Sequence, residues 1–462
     1  MIVRRAMALA AVLLALAAPD TARAETLTEA LATTYLTNPT LAAQRAQQRQ
    51  VDEQVPQALA GWRPQVNVIG GAGVARRDTD DDLSDRQDTT PRDVGIDITQ
   101  PLYRGGQTVA ATRAAENAVR AGRARLVSVE QDVLLNAVLA YINVLAAQAV
   151  LNFEVQNEQR LARFLEATQD RFAVGEVTRT DVFQAEARLA RASADRVQGE
   201  GDLEAARADY LAVIGVPPTN LSLPDVPADL PESLIAAADL ATERNPQVVA
   251  AEFEERSTLN TVDQVRGELL PELNLRGEVT RGYDVGVTGG RVDDLRATVN
   301  VVVPLYQAGA VYSRVRQAKQ AVSEQRRIVD DQRREAAQVA ATAWSDFVAS
   351  QASVVAFTSE VRANEVAVEG VIREQAVGTR TVLDVLDTQQ DLLDSQRSLV
   401  TARRNELRFA YEVKRAIGTL TAELLGLPVD YYNPEVYYRD VRDQWFGTGE
   451  IDYAPAPSGS RP

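Results

Sequence analysis

Two hydrophobic periodicities alternate along this chain. Residues 27–58 are good helix formers, interrupted at Asn38-Pro39 and stopped by Pro64. Gln65-Val66-Asn67-Val68-Ile69-Gly70 then switches to period two, and Val94-Gly95-Ile96-Asp97-Ile98-Thr99 repeats it. That pattern predicts two strands joined by a polar, Asp-rich loop over 76–93. Beyond Pro101 the period turns helical, as in Leu134, Val138, Tyr141 and Leu145, and no proline recurs before Pro217. A helix from Gly106 to Arg171 would be on the order of 100 Å long. Without a globular core of its own it must pack along other helices in a coiled-coil-like bundle.

The scheme then occurs a second time. Leu273 to Val279 and Thr298 to Val301 alternate around a Gly- and Asp-rich loop, and no proline separates Pro304 from Pro428. Val174-Gly175-Glu176-Val177-Thr178-Arg179-Thr180-Asp181 reappears, 203 positions on, as Val377-Gly378-Thr379-Arg380-Thr381-Val382-Leu383-Asp384. At the same offset Pro101-Leu102-Tyr103 becomes Pro304-Leu305-Tyr306, Gly106 becomes Gly309 and Ile214-Gly215 becomes Ile417-Gly418. Asn38-Pro39 and Pro64 recur as Asn245-Pro246 and Pro271, now offset by 207. The chain is therefore an internal duplication. The expected organisation is a signal peptide over 1–24, a first repeat over 25–215, a Pro-rich linker over 216–231, a second repeat over 232–425 and an aromatic tail over 426–462 with a disordered end. The strand hairpins span about 64–102 and 271–305, and the long helical hairpins 106–215 and 309–425. In each helical hairpin the motif glycine suits a left-handed helix end, and the threonine three residues later suits the next N-cap.

Composition narrows the function. Arg4 and Arg5, the Ala/Leu run to Ala18 and Ala22-Arg23-Ala24 read as a cleaved export signal. No later stretch reads as an uninterrupted apolar run long enough for a transmembrane helix. The chain has no cysteine and no histidine, which removes thiolate and imidazole chemistry and points away from an enzyme, a metal site or a bound cofactor. A formal charge of -16 disfavours nucleic acid as a partner. Asp78-Thr79-Asp80-Asp81-Asp82 resembles the start of a calcium loop, but Leu83 and Thr89 stand where glycine and glutamate are needed, so an acidic surface loop is expected. Strands of roughly ten residues suit a tilted bilayer crossing. Four of them cannot close a barrel, since the smallest membrane barrels use about eight, and open edges are not tolerated in lipid. Several copies must pool their strands, which makes the assembly a conduit.

The twin motifs, the Pro-Leu-Tyr-x-x-Gly entry to each long helix and the Asn-Pro near each half's start resemble the TolC family of outer-membrane efflux proteins over the whole mature chain. The resemblance implies a mainly α fold, with helical hairpins forming an α-barrel and each homotrimer protomer giving four strands to a 12-stranded β-barrel. It implies residence in the outer-membrane lipid, with the helical part in the periplasm. It also implies a passive exit duct for efflux or type I secretion, docked through a periplasmic adaptor to an inner-membrane transporter of ABC or RND type. A periplasmic coiled-coil adaptor or structural stalk is the alternative that long helical hairpins also fit.

Thr178/Asp181 and Thr381/Asp384 fit capping boxes, as any duplicated helix–turn–helix would. Asp384 and Asp387 share one helix face, and either a solvated acidic face or an acidic ring around a pore would use them. The resemblance makes them the constriction of the tunnel entrance, where carboxylate rings favour cations. It makes Arg380 a gate latch reaching Thr180 and Asp181, with Gln375 in place of the family's gate tyrosine. The turns at Val174, Gly175, Thr178, Val377, Gly378 and Thr381 become the docking tips.

Overall fold

The computed structural model describes residues 24–77, 87–285 and 289–449. The signal segment up to Arg23, the Asp78–Asp82 run and the end of the tail from residue 450 lie outside the described residues. Helices α1 (Leu27–Thr37), α2 (Pro39–Asp52) and α3 (Gln54–Leu59) lead through a single 3₁₀ turn, Ala60–Trp62, into strands β1 (Gln65–Ala72), β2 (Ala75–Arg77), β3 (Gln87–Thr89) and β4 (Arg92–Arg104). Then follow α4 (Gln107–Ala173), α5 (Arg179–Ile214), α6 (Leu234–Arg244), α7 (Pro246–Gly267), β5 (Glu272–Tyr283), β6 (Arg291–Val302), α8 (Ala310–Ala376), α9 (Val382–Ala416) and α10 (Pro434–Arg442). The mainly helical fold with two strand hairpins is the one expected. The chain divides into two compact units, one holding residues to Ala42, Ser128–Asn245 and Ala336–Tyr431, the other Ala43–Val127, Pro246–Glu335 and the chain from Tyr432.

The sheet belongs to the second unit. Its order is β1-β4-β5-β6, antiparallel throughout, so the hairpin of one repeat pairs with that of the other through β4 and β5. The register sorts the side chains into two faces. One carries Val66 and Val68, Val94, Ile96 and Ile98, Leu275 and Val279, then Leu295, Val299 and Val301. These apolar residues are exposed, Val68 at 74% and Leu295 at 81%. The opposite face carries Asn67, Asp97, Glu278 and Arg296 in one row and Thr99, Arg276 and Thr298 in the next, with Ile69 as an apolar exception. Arg276 and Asp97 form an ion pair of 2.7 Å across that polar face. Among the described residues of the protomer, β1 and β6 each pair on one side only. An apolar face and two bare edges are what water would not stabilise.

The first unit is built on its helices. Tyr141 and Tyr210 are fully buried, 6.4 Å apart. Tyr210 donates to the Glu25 carboxylate at 2.6 Å, and the Tyr141 hydroxyl lies 2.8 Å from the Glu25 carbonyl and 2.6 Å from that of Ser222. A parallel bridge from Glu25 to Leu221 completes this strap. Further along the Pro-rich linker, buried Lys414 holds Asp229 at 2.7 Å and the Trp344 indole donates to the Pro231 carbonyl at 3.3 Å. The repeated Asn-Pro pairs clamp helix ends: Asn38 Nδ2 donates to the Val213 carbonyl at 3.1 Å, and Asn245 Nδ2 to that of Ala416 at 3.0 Å. Each asparagine thereby serves carbonyls that the end of the second long helix leaves without helical partners.

Two departures from the sequence reading stand out. One helix, α4, is long and apolar enough by length and composition to cross a membrane, contrary to the expectation that none would be. Half of its most apolar stretch is buried inside the protein, and Leu134, Ala137, Val138 and Tyr141 of α4 belong to the core, so its apolarity is that of a core helix. The aromatic tail contains a helix, α10, which its proline and tyrosines concealed.

A polar layer crosses the α4, α5 and α9 packing. Arg397 reaches Glu154 at 2.5 Å, with Asp195 and Asp394 within 3.8 Å. Burial pushes the Glu154 carboxyl above its ordinary range, against the pull of Arg397. Gly199 leaves the room: a Cβ there would overlap Glu154 Oε2, whereas a Cβ on Gly201 would meet nothing within 4 Å. Helix propensity alone favours alanine at both positions by roughly 1 kcal/mol. We therefore expect Gly201→Ala to raise thermal stability and Gly199→Ala to lower it, by about 1–3 kcal/mol. Thermal unfolding of both variants checks the opposite signs, and equal shifts would refute the account of the layer.

Candidate functional site

Both helical hairpins of the first unit turn over by the same device. Gly175 and Gly378 each have φ of 81°, a conformation that side chains other than glycine's rarely adopt. Gly175 N–H returns to the Phe172 carbonyl at 3.0 Å and Gly378 N–H to that of Gln375 at 3.1 Å, which ends the helices. Thr178 and Thr381 then cap α5 and α9. Asp181 N–H donates to Thr178 Oγ1 at 3.3 Å while Thr178 N–H donates to Asp181 Oδ2 at 2.8 Å. The Thr381/Asp384 box repeats this at 3.2 Å and 2.9 Å. Val174 and Val377 beside the two glycines are exposed, at 73% and 76%.

The turns differ in their charges. In the first, Arg171 pairs with Glu176 at 3.0 Å; in the second, Glu374 pairs with Arg380 at 3.0 Å. Arg171 and Glu374 are equivalent positions, so the charge there is reversed across the duplication, and each pairs with a residue that has no charged counterpart in the other repeat. Within one protomer Arg380 thus binds its own turn rather than Thr180 or Asp181; Thr180 is exposed and the Asp181 carboxylate is taken by Thr178. Gln375 enters the turn through its backbone carbonyl.

Asp384 and Asp387 stand on α9 opposite its buried stripe of Val382, Val385 and Leu386. Val382 and Leu386 of that stripe pack with Leu161 and Ala192, flanked by Phe164, Val177 and Leu189. The two aspartates are not left to repel each other. Asp384 is held in its capping box, where the Thr381 backbone N–H, then its hydroxyl, and Arg380 lower the carboxyl below its ordinary range. Asp387 pairs with Arg188 of α5 at 2.5 Å, a link between the two hairpins that the motif comparison did not find. The one signal for it in the sequence was charge inversion, since the equivalent of Arg188 in the second repeat is Asp391.

Comparison with known proteins follows this geometry. The family model described as outer membrane efflux protein matches residues 30–216 and 237–419, once in each repeat. The chain is 34% identical over 431 residues to the outer membrane efflux protein BepC of Brucella suis biovar 1, covering 92% of each chain. It is 27% identical over 404 residues to the outer membrane protein TolC of Vibrio cholerae, covering 84% of this chain and 89% of that one. Its fold matches the solved outer-membrane channel OprN with a TM-score of 0.75 at 21% identity, over 85% of this chain and 89% of that one.

The capping geometry has a pH signature. A carboxyl whose folded pKa lies below the usual 3.8 contributes stability that is present above that value and lost as pH falls through the lower folded one. We expect amide protection in the first turn of α9 to exceed that of Asp384→Ala at neutral pH, and the difference to vanish in strong acid. Hydrogen exchange of the tip peptide measured across pH reads this directly; a difference independent of pH would contradict it.

Proposed function

The chain belongs to the outer membrane efflux protein family, and on that premise we propose that it is the outer-membrane exit duct of a tripartite efflux or type I secretion system. It conducts passively, with transport energy supplied by an inner-membrane transporter acting through a periplasmic adaptor. The observation that carries this reading is the two-faced sheet with a bare edge on β1 and another on β6. In hydrocarbon every backbone N–H and C=O must find a partner within the protein. Pairing β6 of one copy with β1 of the next satisfies both edges, turns the apolar face to lipid and the polar face to a water-filled lumen. A homotrimer closes such a barrel.

In this assembly the turns around Gly175 and Gly378 form the docking tips. Asp384 and Asp387 of each copy come round one axis as the constriction, and Arg380 with Thr180, Asp181 and Gln375 forms the surrounding latch. Arg188 sets the balance of charge there: while it holds Asp387 that exposed carboxylate is neutralised, and opening frees it. Such a ring attracts cations and binds multivalent ones.

Single-channel recording of purified protein in planar bilayers tests this. The wild type is expected to give small, cation-selective currents that trivalent cations block. Asp384→Asn with Asp387→Asn is expected to lose both selectivity and block. Unchanged selectivity and block in the double variant would remove the aspartates from the constriction. No current from folded, inserted protein would overturn the duct.

A further inference from the structure

The tail after α9 is not accounted for by a duct. Helix α10 docks within the second unit through Tyr437, whose hydroxyl donates to Glu53 at 2.7 Å, and through Tyr438, over which Arg123 lies at 5.2 Å. Arg123 and Arg442 add ion pairs to Glu435 and Glu116, both at 3.4 Å, and Val441 is buried. This firm seating delivers two large aromatics to the surface. Trp445 is 57% exposed and Phe446 87% exposed.

Their position is fixed by a run of contacts to the strand bases. Gln100 follows Ile98 on the apolar face of β4, and its amide donates to the Trp62 carbonyl at 2.8 Å. Next to Trp62, Arg63 donates to the Gln444 carbonyl at 2.7 Å and lies over the Trp445 ring at 5.0 Å. Trp62, Trp445, Phe446 and a cation therefore adjoin the end of the apolar face where the strands meet the helices. Tryptophan is enriched at that depth in a bilayer because its ring is apolar while its N–H seeks the headgroups. An arginine beside it supplies a donor for phosphate oxygens.

We propose that Trp445 and Phe446, held by α10 and Arg63, form an interfacial anchor in the headgroup region of the periplasmic leaflet of the outer membrane. The occupant is phospholipid, because the cluster continues the lipid-facing surface of the sheet. The proposal rests on the membrane reading of that sheet. An exposed Trp-Phe pair on a rigid support binds the interface without ordering any further chain.

The chain has three tryptophans, so Trp62→Phe with Trp344→Phe leaves Trp445 as the reporter. The full-length variant is reconstituted into phosphatidylcholine vesicles brominated either just below the headgroups or deep in the acyl chains, with iodide as the aqueous quencher. The expected result is strong loss of emission with shallow bromines, less with deep ones and little with iodide. Quenching by iodide and not by lipid would place the segment in water and overturn the anchor. Quenching by neither would mean protein covers Trp445, as a second copy could, and would also overturn it. A protein whose sole tryptophan is Leu295→Trp, in the middle row of the apolar face with Val68, Ile96 and Val279, separates the two readings. Deep bromines must quench it, and if they do not, the membrane reading of the sheet fails first.

Discussion

Backbone pairing in hydrocarbon is the constraint from which the rest follows. A four-stranded antiparallel sheet leaves a row of N–H and C=O groups bare on each outer strand, and lipid offers them nothing. Here the bare rows lie on β1 and β6, at opposite ends of the sheet, and so can complete each other between copies. The division into a mainly apolar face and a mainly polar one suits different media on the two sides. A periplasmic stalk, the other assembly that long hairpins suggest, gives that exposed apolar face no place to go.

The duplication economises on sequence, and its departures carry the specific chemistry. Asn38 and Asn245 perform one clamping task twice, as do the Gly175 and Gly378 turns with their Thr-Asp caps. The two hairpins nevertheless differ in the charges at their turns. The reversals from Arg171 to Glu374 and from Arg188 to Asp391 mark where that difference lies. Exposed ion pairs of this kind each contribute little to stability.

What could be read in advance was what local chemistry determines. Alternation in Val66 to Ile69, the proline-free runs and the glycine–threonine turns each declare their backbone within a few residues. The link between Arg188 and Asp387 joins positions 199 apart, and the strap ties Glu25 to Tyr141 and Tyr210, 116 and 185 positions away. No periodicity encodes such pairings. The apolar stretch of α4 passed unrecognised for a related reason, since a core helix and a helix in lipid can share a composition and differ only in what surrounds them. The sidedness of the sheet lay between these cases. Each strand announced its alternation, but only the register across all four put the apolar residues on a common face.

The central claim is that the sheet is complete only among several copies. The mass of the particle purified from outer membranes, measured natively with the detergent released in the gas phase, tests it most directly. The account predicts three chains per particle, with no folded single chain surviving extraction. A population of single chains that keeps its β-sheet and remains in solution would contradict it, since β1 and β6 would then stand open without consequence.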